Sequence, residues 1–321
     1  MGEQGLLRML SRYLDGPSDD LIVPAPGDDA AVWRGDRFVV ATVDTLVEGI
    51  DFRTDWPGFD FRTLGRRLMT INLSDLAAMG ATPRHALISL CLRRETLAGE
   101  VLGLYRGVTE QATRFGCTVA GGDLSATLGP LVLTAILIGR VPSARAVLRR
   151  PGARPGWQLA VTGAVGGAAA GLRLLESGRL PRTAAERRWV RRQVDPVPRI
   201  EAGQALVRAG VRVGGDISDG LYREIEKLTE ASAVGATVDV DRVPLAQGLR
   251  PDEFRLAFGG SEDFELVCAA PPAAIDRARR ELARSASPLA VIGTVDREPG
   301  IRVRAGGAPA MIGEMGYQHF R

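Results

Sequence analysis

The chain has 321 residues, 45% of them hydrophobic and 25% charged, with 41 basic against 38 acidic side chains and a formal charge of +3. This length and balance suit an ordinary globular protein of about two domains at roughly 150 residues each, and exclude a disordered chain, a collagen-like repeat and a small disulfide-stapled module. No apolar run reaches the roughly 20 residues that span a bilayer, and the opening MGEQGLLRML has no secretory pattern. The expectation is a cytoplasmic protein with no membrane partner.

In chain order, the spacing of apolar residues predicts a strand at 37–43, a helix at 61–79, a strand at 84–92, a helix at 95–115 and a long β-type run at 131–141. The stretch 142–156 (PSARAVLRRPGARPG), with three prolines and two glycines, changes the character of the chain and reads as a linker. The predicted domains are therefore 1–142 and 157–321, joined by 143–156. The second half restarts with a strand at 158–162, a glycine turn and an alanine-rich helix from about 168. Helices follow near 183–193 and 199–209, then a strand near 211–213, a helix from 221 and a strand at 237–240. A strand at 264–269, a helix at 273–286 and closing strands complete an α/β or α+β pattern.

The basic residues are almost all arginine, with Lys227 the one lysine, and they are dispersed. The densest cluster, 182–192, reads as the solvated face of a helix, and without an aromatic-studded basic motif no nucleic-acid partner is expected. Three separated cysteines in apolar runs (Cys91, Cys117, Cys268) read as structural thiols. With only His85 and His319 as histidines, catalysis falls to carboxylates.

Five segments place an acidic residue at a strand end or turn, four of them beside glycine: Pro26-Gly27-Asp28-Asp29, Val43-Asp44-Thr45, Gly121-Gly122-Asp123, Gly214-Gly215-Asp216-Ile217-Ser218-Asp219-Gly220 and Gly259-Gly260-Ser261-Glu262-Asp263. Each alone is also ordinary turn chemistry. On the helix from Phe61, the stripe Phe61, Leu64, Leu68, Ile71 continues to Asp75, which aims a carboxylate at the interior, where it needs a cation, donors or a proton. Clustered aspartates with few histidines suit a hard cation such as Mg²⁺, hence phosphoryl chemistry, and neighbouring glycines let backbone amides approach phosphate oxygens. No Gly-Lys-Ser/Thr loop is present, and Gly163-Ala-Val-Gly166-Gly167 is not a dinucleotide fingerprint but a tight turn into a helix.

GDD at 27–29, ATVDTLVEG at 41–49, NLSDLAAMGATP at 72–83, GGD at 121–123, DISDGL at 216–221, SEDFEL at 261–266 and GYQHF at 316–320 together resemble the thiamine-monophosphate kinase family. Its superfamily includes aminoimidazole ribonucleotide synthetase, selenophosphate synthetase and a hydrogenase maturation protein. The resemblance implies a two-domain α/β fold whose N-terminal domain pairs with a second copy to form a shared barrel. It also implies transfer of the γ-phosphoryl group of ATP to thiamine monophosphate, with Mg²⁺ as cofactor and no covalent phosphoenzyme. Position by position it assigns Asp28, Thr42, Val43, Asp44, Asp75, Asp123, Asp216 and Asp219 to metal ions. It assigns Tyr105, Gly121, Gly122, Arg150 and Ser218 to the nucleotide, and Asp51, Glu262 and Tyr317 to the substrate. Asp75, Asp123, Asp216 and Arg150 carry the catalytic role.

The chain departs from the family pattern where Val43 replaces a hydroxyl residue, Ser261 a glycine, Glu224 an aspartate and Asp51 a common histidine. The alternatives are another ATP-using member of the superfamily and a non-catalytic thiamine-phosphate or nucleotide-binding regulator. A selenophosphate synthetase would carry a reactive Cys or selenocysteine and a lysine near its N-terminus, and the hydrogenase protein a C-terminal cysteine. This chain has neither.

Overall fold

The computed structural model describes residues 21–23, 32–33, 35 and 37–312. The chain divides into two compact units, Met1–Leu76 with Thr82–Pro142, and Ala77–Ala81 with Ser143–Arg321.

In the first unit, β1 (Leu21–Val23) and β2 (Val32–Trp33) pair as an antiparallel ribbon. The main elements are β3 (Val39–Val47), α1 (Phe61–Ala78), β4 (Thr82–Arg93), α2 (Ala98–Arg114), β5 (Thr118–Thr127) and β6 (Val132–Arg140). They form a four-stranded sheet of order β3-β6-β4-β5, antiparallel except for the β4·β5 pair. Strand alternation sorts the residues by face. Leu46, Leu133, Leu137, Ile88 and Leu90 are buried on the face against α1, where Leu76 packs on Gly139. The opposite face is open and apolar: the cross-strand row Val43, Ile136, Leu87 starts with Val43 59% exposed, and Val39 is 55% exposed.

β5 was not legible in the sequence pattern. It carries Gly121-Gly122-Asp123 in mid-strand, although adjacent glycines are poor strand formers. A Cβ on Gly122 would lie 1.9 Å from the Ile88 carbonyl oxygen, so close approach to β4 requires glycine there.

The second unit holds β7 (Gln158–Thr162), α3 (Gly167–Glu176), α4 (Ala184–Val194), α5 (Ile200–Arg208), β8 (Val213–Asp216), α6 (Leu221–Ser232), β9 (Gly235–Asp239), α7 (Arg255–Phe258), β10 (Leu266–Ala270), α8 (Pro272–Leu282), β11 (Leu289–Asp296), β12 (Gly300–Ala305) and β13 (Ala308–Pro309). Its seven-stranded sheet runs β13-β12-β9-β11-β7-β10-β8, with β12·β9 the parallel pair. One core joins Leu159, Val161, Ile217, Leu221, Ile225, Phe258, Val267 and Ile292. The mixed helices and sheets of the two units are the α/β fold expected from the alternating pattern.

The proline-rich stretch after β6 is clipped to this unit. Leu148 is buried at its centre, the Arg149 amide donates to the Arg212 carbonyl (3.0 Å), and the Gly214 amide donates to the Arg149 carbonyl (3.0 Å). Arg187, Arg188 and Arg191 on α4 face solvent.

α4 starts with a reciprocal cap: the Glu186 amide donates to Thr183 Oγ1 (3.1 Å), and Glu186 Oε2 accepts from the Thr183 and Arg182 amides (3.0 and 2.7 Å). Arg179 also donates to Glu186 Oε1 (2.6 Å), and this bond first, then the two amides, hold the carboxyl at a pKa of about 2 against the ordinary 4.5. A depressed folded-state pKa means that the cap stabilises the helix fully above pH 4.5 and is lost as pH falls toward 2. Hydrogen exchange should therefore show the first turn of α4 losing protection across that window, beyond the intrinsic pH dependence. Unchanged protection at the lower end would contradict this.

Candidate active site

Thr42 and Asp44 are alternate residues of β3 and share the face that α1 covers. The Thr42 hydroxyl donates to Asp75 Oδ2, so the structure brings Thr42 and Asp75 together, 33 positions apart in the chain. Asp75 is not in the interior, as the stripe on α1 implied. From Leu68 to Ala78 every helix residue is buried except Asp75, which is half-buried. A helix enclosed all round gives no periodic signal for the one opening in its surroundings, so periodicity named the carboxylate but misjudged its exposure.

Cross-strand pairing sets Asp44, Ala135, Ile88 and Gly122 in one row, with Asp123 in the next, opposite Ser89. Asp123 is exposed, whereas Tyr105 on α2 is buried; burial first and the Asp123 charge second push the Tyr105 phenol up to about 12. Tyr105 is thus a neutral donor at any ordinary pH. Gly121 is buried, and Val43 turns its side chain to the open face, away from Thr42 and Asp44. Asp51, in the turn after β3, accepts from the Val47 amide (2.7 Å). Asp28 and Tyr317 lie outside the described residues.

In the second unit, Asp216 ends β8 and is buried, followed by half-buried Ser218 and Asp219 before α6. Lys227 Nζ lies 2.8 Å from Asp219 Oδ2 and 3.3 Å from Glu224 Oε2. Arg150 donates through Nε to Glu224 Oε1 (2.8 Å) and through a terminal nitrogen to Oε2 (3.4 Å). Burial raises the Glu224 carboxyl pKa, and Arg150 and Lys227 oppose that rise only in part. Lys227 is shifted upward: its own burial opposes the shift, but Asp219 and Glu224 outweigh it. Nothing local in the sequence announces the Arg150–Glu224 pair, which spans 74 positions.

The SEDFEL segment divides its labour. Asp263 is buried and accepts from the Gly166 amide (2.5 Å), the Ala168 amide (3.0 Å) and the Ser261 hydroxyl (2.6 Å), so it caps the N-terminus of α3, where the glycine turn enters the helix. Glu265 pairs with Arg199. Glu262 is half-buried and accepts from Gln193 (3.0 Å). Sequence reasoning missed the structural work of Asp263 and Glu265 because acid-rich segments do not say which acid faces inward. Cys117 and Cys268 are buried free thiols pushed up to about 12 by burial, and Cys91 is a half-buried free thiol.

Among the described residues no three acidic, His or Cys side chains converge as a ready metal cage. The candidate ligands are carboxylates and a hydroxyl, and Asp219 already accepts a positive charge, the Lys227 ammonium. This set fits a hard divalent cation such as Mg²⁺, which completes its shell with water and phosphate oxygens.

Residues 27–141 match the N-terminal domain family of AIR synthase related proteins, and residues 154–306 match the corresponding C-terminal domain family. The thiamine-monophosphate kinase of Bacillus subtilis (strain 168) is 30% identical over 304 residues, 92% of this chain and 93% of that protein. The crystal structure of thiamine-monophosphate kinase from Stenotrophomonas maltophilia K279a superposes with a TM-score of 0.82 at 30% identity, covering 94% of this chain and 96% of that one. The structure of AaThiL complexed with AMPPCP and TMP gives a TM-score of 0.76 at 26% identity, with 99% and 97% covered.

Proposed function

The chain belongs to the thiamine-monophosphate kinase family, and we propose on that footing that it transfers the γ-phosphoryl group of ATP to the phosphate of thiamine monophosphate, giving thiamine diphosphate and ADP. The observation that carries this reading is the match, in sequence and in fold, over more than nine-tenths of the chain to kinases of this one activity. The ligands of AaThiL, AMPPCP and TMP, support ATP and thiamine monophosphate as the two substrates.

Donor and acceptor are both anionic phosphates, so the main barrier is their repulsion and the need for in-line alignment. Mg²⁺, when bound, supplies charge neutralisation and a template for the phosphate oxygens. In the first unit Asp28, Asp44, Asp75 and Asp123, with the Thr42 hydroxyl and the Val43 carbonyl, and in the second Asp216 and Asp219, are the groups proposed to bind Mg²⁺ ions. Thr42 orients the Asp75 carboxylate by donating to one oxygen and leaves the other to bind. Arg150 adds a fixed positive charge for the nucleotide phosphates, Tyr105 a neutral hydroxyl, and Gly121, Gly122 and Ser218 close backbone or hydroxyl contacts. Asp51, Glu262 and Tyr317 are assigned to thiamine monophosphate, carboxylates for the cationic ring and an aromatic face to pack on it. A phosphate acceptor is already ionised near neutral pH, so no strong general base is needed.

The open apolar face of the first unit's sheet, with Val39, Val43 and Ile136 exposed, supports a homodimer in which a second copy covers it. Among the described residues no helix is long and apolar enough to cross a membrane.

The reading is tested by incubating purified protein with ATP, MgCl₂ and either thiamine monophosphate or thiamine, and following ADP and thiamine diphosphate by chromatography with an EDTA control. Thiamine diphosphate should form from the monophosphate alone and disappear with EDTA. Absence of product under these conditions would overturn the assignment of substrate and reaction.

A further inference from the structure

Glu224 is a buried charged group close to the 216–219 loop. Its side chain is 1% exposed, in the first turn of α6. It occupies the space that a side chain on β8 would need, because a Cβ on Gly215 would lie 2.0 Å from Glu224 Oε1. Taking a carboxylate out of water is unfavourable unless its oxygens are well paired, and a buried ion pair is often no more stable than apolar side chains of similar volume in its place. Both Glu224 oxygens are paired.

They hold the side chain of Arg150 by one edge. Nε and a terminal nitrogen face Oε1 and Oε2, while the Arg150 side chain as a whole stays 47% exposed. Glu224 Oε2 also faces Lys227, whose ammonium reaches on to Asp219. The backbone around Arg150 is tied to the same helix: Ser232, at the end of α6, donates to the Arg150 carbonyl (3.2 Å) and accepts from the Gly152 and Ala153 amides (both 3.1 Å). One helix thus fixes the backbone of Arg150 at its far end and the guanidinium at its near end. A long flexible side chain held in this way meets an anion without first having to be ordered.

We propose that Glu224 is a positioning residue: its buried carboxylate holds the Arg150 guanidinium in the orientation that receives the phosphates of ATP. The inference rests on the phosphoryl-transfer reading, which gives Arg150 to the nucleotide.

The test is calorimetric binding of the non-hydrolysable analogue AMPPCP with MgCl₂ to the full chain, in the wild type, Glu224→Gln, Arg150→Ala and the double variant, with melting temperatures measured alongside. Glu224→Gln should weaken AMPPCP binding roughly tenfold, and the double variant should bind no more weakly than Arg150→Ala alone. A purely structural role would lower the melting temperature and weaken binding equally with or without Arg150. Wild-type affinity in Glu224→Gln, or its full loss repeated in the Arg150→Ala background, would overturn the proposal. Glu224→Asp keeps the charge but draws it back by one methylene. It decides the matter if Glu224→Gln does not fold: a loss of about threefold or more that needs Arg150 supports the proposal, and unchanged binding overturns it. Should Arg150→Ala bind AMPPCP as the wild type does, the assignment of Arg150 itself falls, a result distinct from failure of Glu224.

Discussion

Asp75→Asn is expected to abolish turnover while leaving the fold in place, with kcat lower by about a thousandfold or more, equivalent to about 4 kcal/mol of barrier. Asparagine keeps the shape and an acceptor oxygen for the Thr42 hydroxyl, so the local contact survives. What it removes is the negative charge, and a neutral amide is a poor ligand for a hard divalent cation. The side chain is half-buried rather than enclosed, so the substitution strands no buried group, and the melting temperature should stay within a few degrees of the wild type. Steady-state kinetics at saturating ATP and thiamine monophosphate, with circular dichroism on the same sample, measure both. Near-normal turnover would remove Asp75 from the metal-binding set.

The largest stability effect is expected at Glu265. Its carboxylate is 0% exposed and accepts from Arg199 Nε (2.9 Å), a terminal Arg199 nitrogen (2.6 Å) and the Thr162 hydroxyl (2.8 Å). Thr162 in turn accepts from the Leu266 amide (2.8 Å), so the network ties β7 to β10. Burial first raises the Glu265 carboxyl pKa above its ordinary value, and Arg199 and the Thr162 hydroxyl offset that rise only in part. Glu265→Ala leaves the Arg199 guanidinium, itself only 14% exposed, without its counter-charge. The cost should be about 3–5 kcal/mol, or roughly 10 °C in melting temperature for a unit of this size. Replacing both residues by leucine should recover much of that loss, because the penalty comes from the stranded charge and not from the missing bond. A Glu265→Ala variant within about 1 kcal/mol of wild type in urea denaturation would contradict this account.

Both substitutions fall in motifs that a reader of the sequence would mark, yet for different reasons. Asp75 stands in NLSDLAAMGATP and Glu265 in SEDFEL, and in each case the residue type is informative while its environment is not. Whether an acid binds an external cation or serves an internal arginine depends on what the rest of the chain brings to it. Asp263, two residues before Glu265, shows the same limit: its acceptors end on the amides of a helix almost a hundred positions earlier.

Local sequence determined most helices and most strands, because 3.6-residue and two-residue apolar periods are written locally. It also determined the family, because ordered motifs over nearly the whole length are far more specific than any single turn. Only the folded chain places Gly121-Gly122-Asp123 inside a strand, since a neighbouring backbone and not side-chain propensity holds it there. Only it decided that Asp75 sits at the one opening along a buried stretch of helix, and that Arg150 is gripped by Glu224 across 74 positions. Pairings of that kind depend on where folding places distant segments, and no local pattern encodes them.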